Sequence, residues 1–339
     1  MKGSERLPAL TARERGLLRS LLPLLPERII DAHTHCNLLE HVGAIPPPLD
    51  SLPMTTFAAY DLSEAEVSRG ELWPGKHVRA LRFANAFQGI DHRAANDYLA
   101  ASAPHQGDWF VAFGISDDPD YTVGLLRRTR ATACKMYARS VVPFLTRITE
   151  VFPPAVLAEC ARLEVPIILH LPASLEESRE ELLTVLDDYP TLKVVLAHCA
   201  LVRPDHQGDL DALLTLAPHA NVVVDTALVV DPRTLDVALQ ALGPERVLFG
   251  TDEPLSLLRV LEYQHPVKGK QWASTTPYHW LDMADYVGGD LKDRELLLFV
   301  QQIKAIVDVA VLHSADQGRV ERLLCGIFHD NAARFFRIR

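Results

Sequence analysis

A chain of 339 residues, 48% hydrophobic, with a formal net charge of -10 and a pI near 5.8, has material for a large buried core. The acidic balance, with no basic cluster, argues against nucleic acid or an anionic membrane surface as a partner. Five scattered cysteines (Cys36, Cys134, Cys160, Cys199, Cys325), odd in number and without Cys-x-x-Cys spacing, read as reduced thiols of a cytoplasmic protein.

Residues 10 to 25 predict a helix covering one end of a barrel, within an N-terminal extension of residues 1–27. Glu5, Arg13, Glu14, Arg15 and Arg19 interrupt its apolar stretch, which does not suit a signal peptide. Strand one, Arg28 to Asp31, runs into Ala32-His33-Thr34-His35-Cys36. Alternate residues of a strand share a face, so His33 and His35 point the same way. Residues 36–75 contain Ile45-Pro46-Pro47-Pro48 and Leu52-Pro53, which exclude regular helix or central strand and suggest a lid over the mouth of a site. Val78 to Phe87 reads as a second strand and Phe110 to Gly114 as a third. After a basic helix, Val123 to Arg130, comes a fourth strand, Ala131 to Tyr137. Helices at Pro154–Leu163, Glu176–Asp187, Leu210–Leu216 and Pro232–Leu242 alternate with strands five to eight, which implies a parallel sheet. Residues 256–339 lie beyond strand eight, with a loop expected at Gln271–Trp280 and helices after it. In Leu296 to Leu312, the residues Gln301, Gln302, Lys304 and Asp308 suit an amphipathic helix better than a membrane span.

Strands five, six and eight share one design. Val165 to Leu169 ends in His170, Val194 to Ala197 in His198, and Val247 to Thr251 in Asp252. Each apolar run delivers a metal-competent side chain where it stops. His170 and His198 are 28 residues apart, about one strand-helix-strand unit, and His198 and Asp252 are 54 apart, about two. Such residues at the C-terminal ends of strands are the mark of a (β/α)8 TIM barrel, here read as one α/β domain over residues 1–339. His33, His35, His170 and Asp252 offer three imidazoles and a carboxylate to one divalent metal ion. A metal of that kind brings hydroxide within reach at neutral pH. His198 stands where it can orient that water or polarise an electrophile, and Asp252 can accept a proton as well as ligate.

Three segments resemble the amidohydrolase superfamily, in its amidohydrolase-related branch. "IIDAHTHC" resembles that branch's strand-one motif, "VLFGTDEP" its strand-eight motif, and "IFHDNAARFFRI" (Ile327 to Ile338) its C-terminal segment. The branch holds aminocarboxymuconate-semialdehyde decarboxylase, resorcylate-type decarboxylases, and hydrolases of cyclic and aromatic carboxylates. The resemblance implies a barrel with one metal, commonly zinc, on the counterparts of His33, His35, His170 and Asp252. It implies a water-directed role for His198, and a cytoplasmic, dimeric enzyme. One departure is clear: the family often places Gly-Gly after the strand-six histidine, whereas His198 is followed by Cys199-Ala200-Leu201-Val202-Arg203.

Lys135 has three readings: a carboxylated bridge between two metals, a partner for a substrate carboxylate, or a structurally paired lysine. Arg139 and Arg203 follow strands four and six and are further candidates for holding an anionic substrate. Asp225 suits a capping or supporting role, and Cys36 and Cys199 suit packing. The leading functional expectation is hydrolysis of an ester, lactone or amide in a small, carboxylate-bearing substrate. Non-oxidative decarboxylation on the same centre is the alternative, and a non-catalytic metal-binding barrel is third. Zn2+ is the expected cofactor, though Mn2+, Fe2+ and Co2+ accept the same ligands. Residues 36–75, 138–150, 200–209 and 254–280 would set the substrate.

Overall fold

The structure, a computed structural model, describes residues 9–44, 57–86, 88–141, 143–267, 269–276, 289–314 and 316–339. Nine strands lead to the site. β1 (Arg28–His35), β2 (His77–Phe83) and β3 (Trp109–Phe110) form one parallel set. The other runs β4 (Ala112–Phe113), β5 (Cys134–Met136), β6 (Ile167–Leu169), β7 (Val194–Leu196), β8 (Val222–Asp225) and β9 (Val247–Leu248), each parallel to the next. β3 and β4 are one stretch of chain interrupted at Val111. There the backbone turns from one neighbour to the other: Val111 N donates to Arg82 O, and Ala112 N to Ala133 O. At the other seam, Ala32 N donates to Phe249 O at 2.9 Å, Asp252 N to His33 O at 2.8 Å, and His35 N to Glu253 O at 2.6 Å. These bonds join the last strand to the first, and the eight expected strand positions form a (β/α)8 ring.

Short apolar strands form here because both faces are covered. Ile168, Val195, Val223 and Leu248 point inward and pack with Ile30, Leu81, Phe83 and Phe113. Their neighbours Ile167, Leu169, Val194, Leu196 and Val222 point outward and pack beneath the helices. Those helices, among them Leu62–Leu72, Pro154–Leu163, Leu175–Asp188 and Pro232–Leu242, follow their strands as the sequence pattern requires. Near the end of the chain, Ala332 and Phe336 of helix Asn331–Phe336 join the inward-facing cluster. Asn331 Nδ2 donates to Pro244 O and to Val247 O, where β9 begins. The C-terminal segment therefore closes the end at which strands start, and the opposite end is left for the site.

Several expectations are corrected. β2 ends at Phe83, short of Phe87, which lies outside the described residues. The fourth strand is only Cys134–Met136, because Ala131 and Thr132 approach it as loop. Of the expected lid, residues 45–56 lie outside the described residues. Leu62–Leu72 is instead the first barrel helix, started by Asp61, whose side chain accepts from Ser63 N and Glu64 N. Of the loop expected at Gln271–Trp280, residues 277–280 lie outside the described residues, and Gln271 to Ala273 belong to a strand. β10 (Arg259–His265) and β11 (Gly269–Ala273) form an antiparallel hairpin that places Glu262 opposite Trp272. β12 (Leu296–Leu297) pairs with the foot of β10 and leads into helix Leu298–His313. Among the described residues, no helix is long and apolar enough to cross a membrane.

Candidate metal centre

The ring brings His33, His35, His170, His198 and Asp252 to the wall of one cavity of about 710 Å³. Imidazole centroids stand 5.6 Å apart for His33 and His35, 5.0 Å for His33 and His198, and 4.9 Å for His170 and His198. Gly250 permits the approach of the last strand to the first: a Cβ there would lie 2.8 Å from His33 Cβ, closer than real side chains come. Asp31 fastens the same seam. Its carboxylate accepts from Thr251 N at 2.9 Å, Thr251 Oγ1 at 2.6 Å and His33 N at 3.2 Å.

Three of the four imidazoles, those of His33, His35 and His198, have the outer nitrogen committed. His35 Nδ1 donates to Ala84 O at 3.0 Å and His198 Nδ1 to Ala227 O at 2.8 Å, since a carbonyl can only accept. His33 Nδ1 donates to Asp225 Oδ2 at 2.8 Å. In the neutral rings, the Nε2 atoms therefore carry lone pairs and no proton. Yet His35 Nε2 lies 2.9 Å and His33 Nε2 3.5 Å from Asp252 Oδ1. That oxygen is buried and has no hydrogen-bond donor among the described residues. Acceptors face acceptors, an arrangement that repels unless a cation lies among them. Ligand atoms of His33, His198 and Asp252 all fall within 4.8 Å of one another. His198, expected from sequence to orient water or polarise an electrophile rather than to ligate, thus stands in the convergent group, and His170 stands beside it. These residues fit a divalent metal by donor type and by the orphaned oxygen.

The charges agree. Burial pushes His33 down to about 4, with Lys135 adding repulsion, against the pull of Asp225 and Asp252. His170 is held well below its ordinary value, chiefly by burial and then by His198 and Lys135. Burial raises Asp252, but the imidazoles of His33, His35 and His198 outweigh it and hold the carboxyl below its usual range. Neutral imidazoles and an ionised carboxylate are the forms that bind metal. Asp225, expected as a support, serves two of the site histidines. Beyond its bond to His33, its Oδ1 accepts from His198 N at 2.8 Å and from Ala227 N at 3.1 Å.

Lys135 is 1% exposed, lies on the cavity wall, and has no hydrogen-bonded acceptor for its ammonium among the described residues. Burial lowers it to about 8, against the pull of Asp225 and Asp252. Arg139 lies at the cavity edge, exposed, its guanidinium 5.5 Å from the Phe144 ring centroid. Arg203 is a correction to the substrate-binding expectation. Its Nε donates to the buried Asp209 Oδ2 at 2.7 Å, and it is not among the cavity's described lining residues. Cys36 and Cys199 are buried packing residues.

Sequence reasoning missed two supports. Glu253 follows Asp252 and is held by Arg82 at 3.1 Å, which in turn bonds Asp108 at 2.9 Å. Trp272 reaches the cavity from the hairpin. Glu253 could have been suspected from its place in the Thr-Asp-Glu-Pro run, whereas nothing in the pattern around Trp272 points inward.

The family model described as Amidohydrolase matches residues 30–338. No curated protein matches the chain by sequence. Among solved structures, an amidohydrolase from Burkholderia multivorans with bound zinc aligns at 16% identity and TM-score 0.59, covering 92% of this chain and 99% of that one. A 2,6-dihydroxybenzoate decarboxylase from Rhizobium aligns at 16% identity and TM-score 0.57, covering 92% and 99%. A 5-carboxyvanillate decarboxylase from Novosphingobium aromaticivorans, complexed with manganese and 4-hydroxy-3-methoxy-5-nitrobenzoic acid, aligns at 15% identity and TM-score 0.59, covering 92% and 96%. At these identities the likeness is one of fold.

Proposed function

The chain belongs to the amidohydrolase family, and on that premise we propose that it is a metal-dependent carboxy-lyase, releasing CO2 from a small carboxylate without oxidation. The observation that carries the metal is the buried Asp252 Oδ1, faced by imidazole lone pairs and by no donor. His33, His35, His170 and Asp252 would hold the ion, zinc or manganese by the chemistry of the donors. Bound there, a divalent ion supplies positive charge that polarises an oxygen of the substrate.

The residues around it divide the remaining work. Lys135, a buried cation without an acceptor of its own among the described residues, gains one when a substrate carboxylate or phenolate enters. Arg139 attracts the same anion at the cavity edge. His198, with Nδ1 tied to Ala227 O, keeps Nε2 free to carry a proton to or from the substrate. Apolar walls from Tyr137, Val202 and Val229 keep bulk water from the reacting carbon. This order reverses the one expected from sequence, where hydrolysis led. The buried ammonium and the two decarboxylases of like fold support the change. Hydrolysis stays as the second reading, because a centre with a proton-carrying histidine also suits attack by water. The free cysteines fit a reducing compartment, and we place the enzyme in the cytoplasm as a homodimer acting on a small molecule.

The test offers hydroxylated aromatic carboxylates, 2,6-dihydroxybenzoate among them, to metal-loaded protein and traps the gas released. CO2 equal to the acid consumed is expected, with a roughly tenfold to hundredfold loss in Lys135→Met. Cleavage of lactones or esters, with no acid decarboxylated, would restore the hydrolytic reading.

A further inference from the structure

The cavity is larger and more apolar than the chemistry at its floor requires. Its volume of about 710 Å³ falls within the roughly 300–1,000 Å³ of sites for drug-sized ligands. A one-ring acid fills a small part of such a space. Phe57, Leu201, Leu228, Val230, Leu255 and Trp272 line it from five separate segments of the chain. All six line the cavity without being fully buried.

Two of these side chains sit on backbone that leucine avoids. Leu201 has φ 57° and Leu228 φ 55°, the left-handed region that favours glycine. A loop with no ligand to meet gains nothing by holding leucine there, whereas an apolar wall does. Trp272 is fixed from behind, since it packs with Phe57, Leu228, Val230 and Leu255 on the buried cluster of Leu258, Val260 and Leu298. The hairpin is thus a wall anchored to the body of the protein, standing over the metal floor.

We infer that the site takes an acid whose apolar body is larger than one aromatic ring, with its head group at the metal floor and its far end against Trp272 and Leu228. The inference rests on the metal-centre reading above. It sets this chain's ligand apart from the single-ring acids named for the two decarboxylases of like fold.

Three acids with one head group test it: salicylate, 3-hydroxy-2-naphthoate and 5-phenylsalicylate, titrated by calorimetry into zinc-loaded protein. Affinity should rise at least fivefold with each enlargement. Trp272→Ala and Leu228→Ala should each erase most of that gain for the larger acids and leave salicylate within twofold. A flat series in wild type, or equal weakening of all three acids in both variants, would overturn the inference. Either variant alone suffices should the other fail to fold. Metal content of the same samples separates the two claims. A flat series in protein carrying one zinc equivalent removes the apolar wall and leaves the metal centre standing. Protein that takes up no zinc overturns the metal reading and this inference with it.

Discussion

At His33 the ring is held from its outer side: Asp225 accepts from Nδ1 at 2.8 Å, and Nε2 is left facing Asp252 Oδ1 at 3.5 Å. Partners of this kind fix the orientation and basicity of a metal ligand, and their loss typically costs tenfold to a hundredfold in metal affinity. Asp225→Asn should weaken zinc binding by about that factor, measured by competition with a chelating dye, with the fold intact by circular dichroism. Unchanged affinity would remove Asp225 from the centre. Gly250 makes a second residue-scale case. Its glycine is required by closeness to His33 Cβ rather than by φ, so Gly250→Ala must shift the first strand or the last. We expect at least a tenfold drop in zinc affinity, larger than the accompanying loss of stability would explain. His170, His198 and Asp252 were legible in the sequence because each ends an apolar run, and His33 and His35 because alternate residues of a strand share a face. The convergence of His198 with His33 and Asp252 was not, because the strand pattern fixes which residues lie at strand ends but not the distances between them.

The turn after β7 is the most strained element in the described chain. His198, Cys199, Ala200 and Leu201 have φ of 57°, 49°, 59° and 57°, and each L-residue in that region costs roughly 1–2 kcal/mol. The bonds from His198 N to Asp225 Oδ1 and from His198 Nδ1 to Ala227 O hold the turn in place. Cys199 and Ala200 thus hold, in place of Gly-Gly, a left-handed conformation that glycine adopts more readily. Ala200→Val, β-branched, should destabilise the protein by about 2 kcal/mol or more and reduce zinc uptake. Ala200→Gly should fall within about 1 kcal/mol of wild type, because relief of strain offsets the lost methyl and the freer unfolded chain. Equal melting temperatures for the two variants would contradict a left-handed turn. The N-terminal helix gives a pH test. Burial raises the Glu14 carboxyl, but Arg259 and the N–H groups of Thr11 and Leu297 outweigh it and lower the pKa. Stability from a lowered carboxyl is complete above its ordinary value near 4.5 and is lost as pH falls through the lower folded value. Glu14→Gln should therefore cost roughly 2 kcal/mol at pH 7, and the gap should narrow toward pH 3 in thermal melts. A gap independent of pH would exclude this ion pair as the cause. The barrel's strands and helices were readable from apolar periodicity, but the hairpin was not. Its strands, Arg-Val-Leu-Glu-Tyr-Gln-His and Gly-Lys-Gln-Trp-Ala, are too polar to read as buried and follow a strand eight after which no ninth was expected.

For the whole molecule, the bonds from Ala32, His35 and Asp252 across the seam tie ring closure to the floor of the cavity, since two of those residues line it. Anything bound there by the folded state alone stabilises it by mass action, about 2.7 kcal/mol at a hundred times the dissociation constant. Stripping with a chelator should lower the melting temperature, and stepwise return of zinc should raise it until the site is filled. The measurement that bears most directly on the account is metal content by elemental analysis, made on wild type beside the His33→Ala/His35→Ala double variant. The account predicts about one equivalent of divalent metal in wild type, retained through desalting, and a near-complete loss in the variant that still folds. Wild-type protein that holds no metal, and takes up none on reconstitution with zinc or manganese, would contradict it.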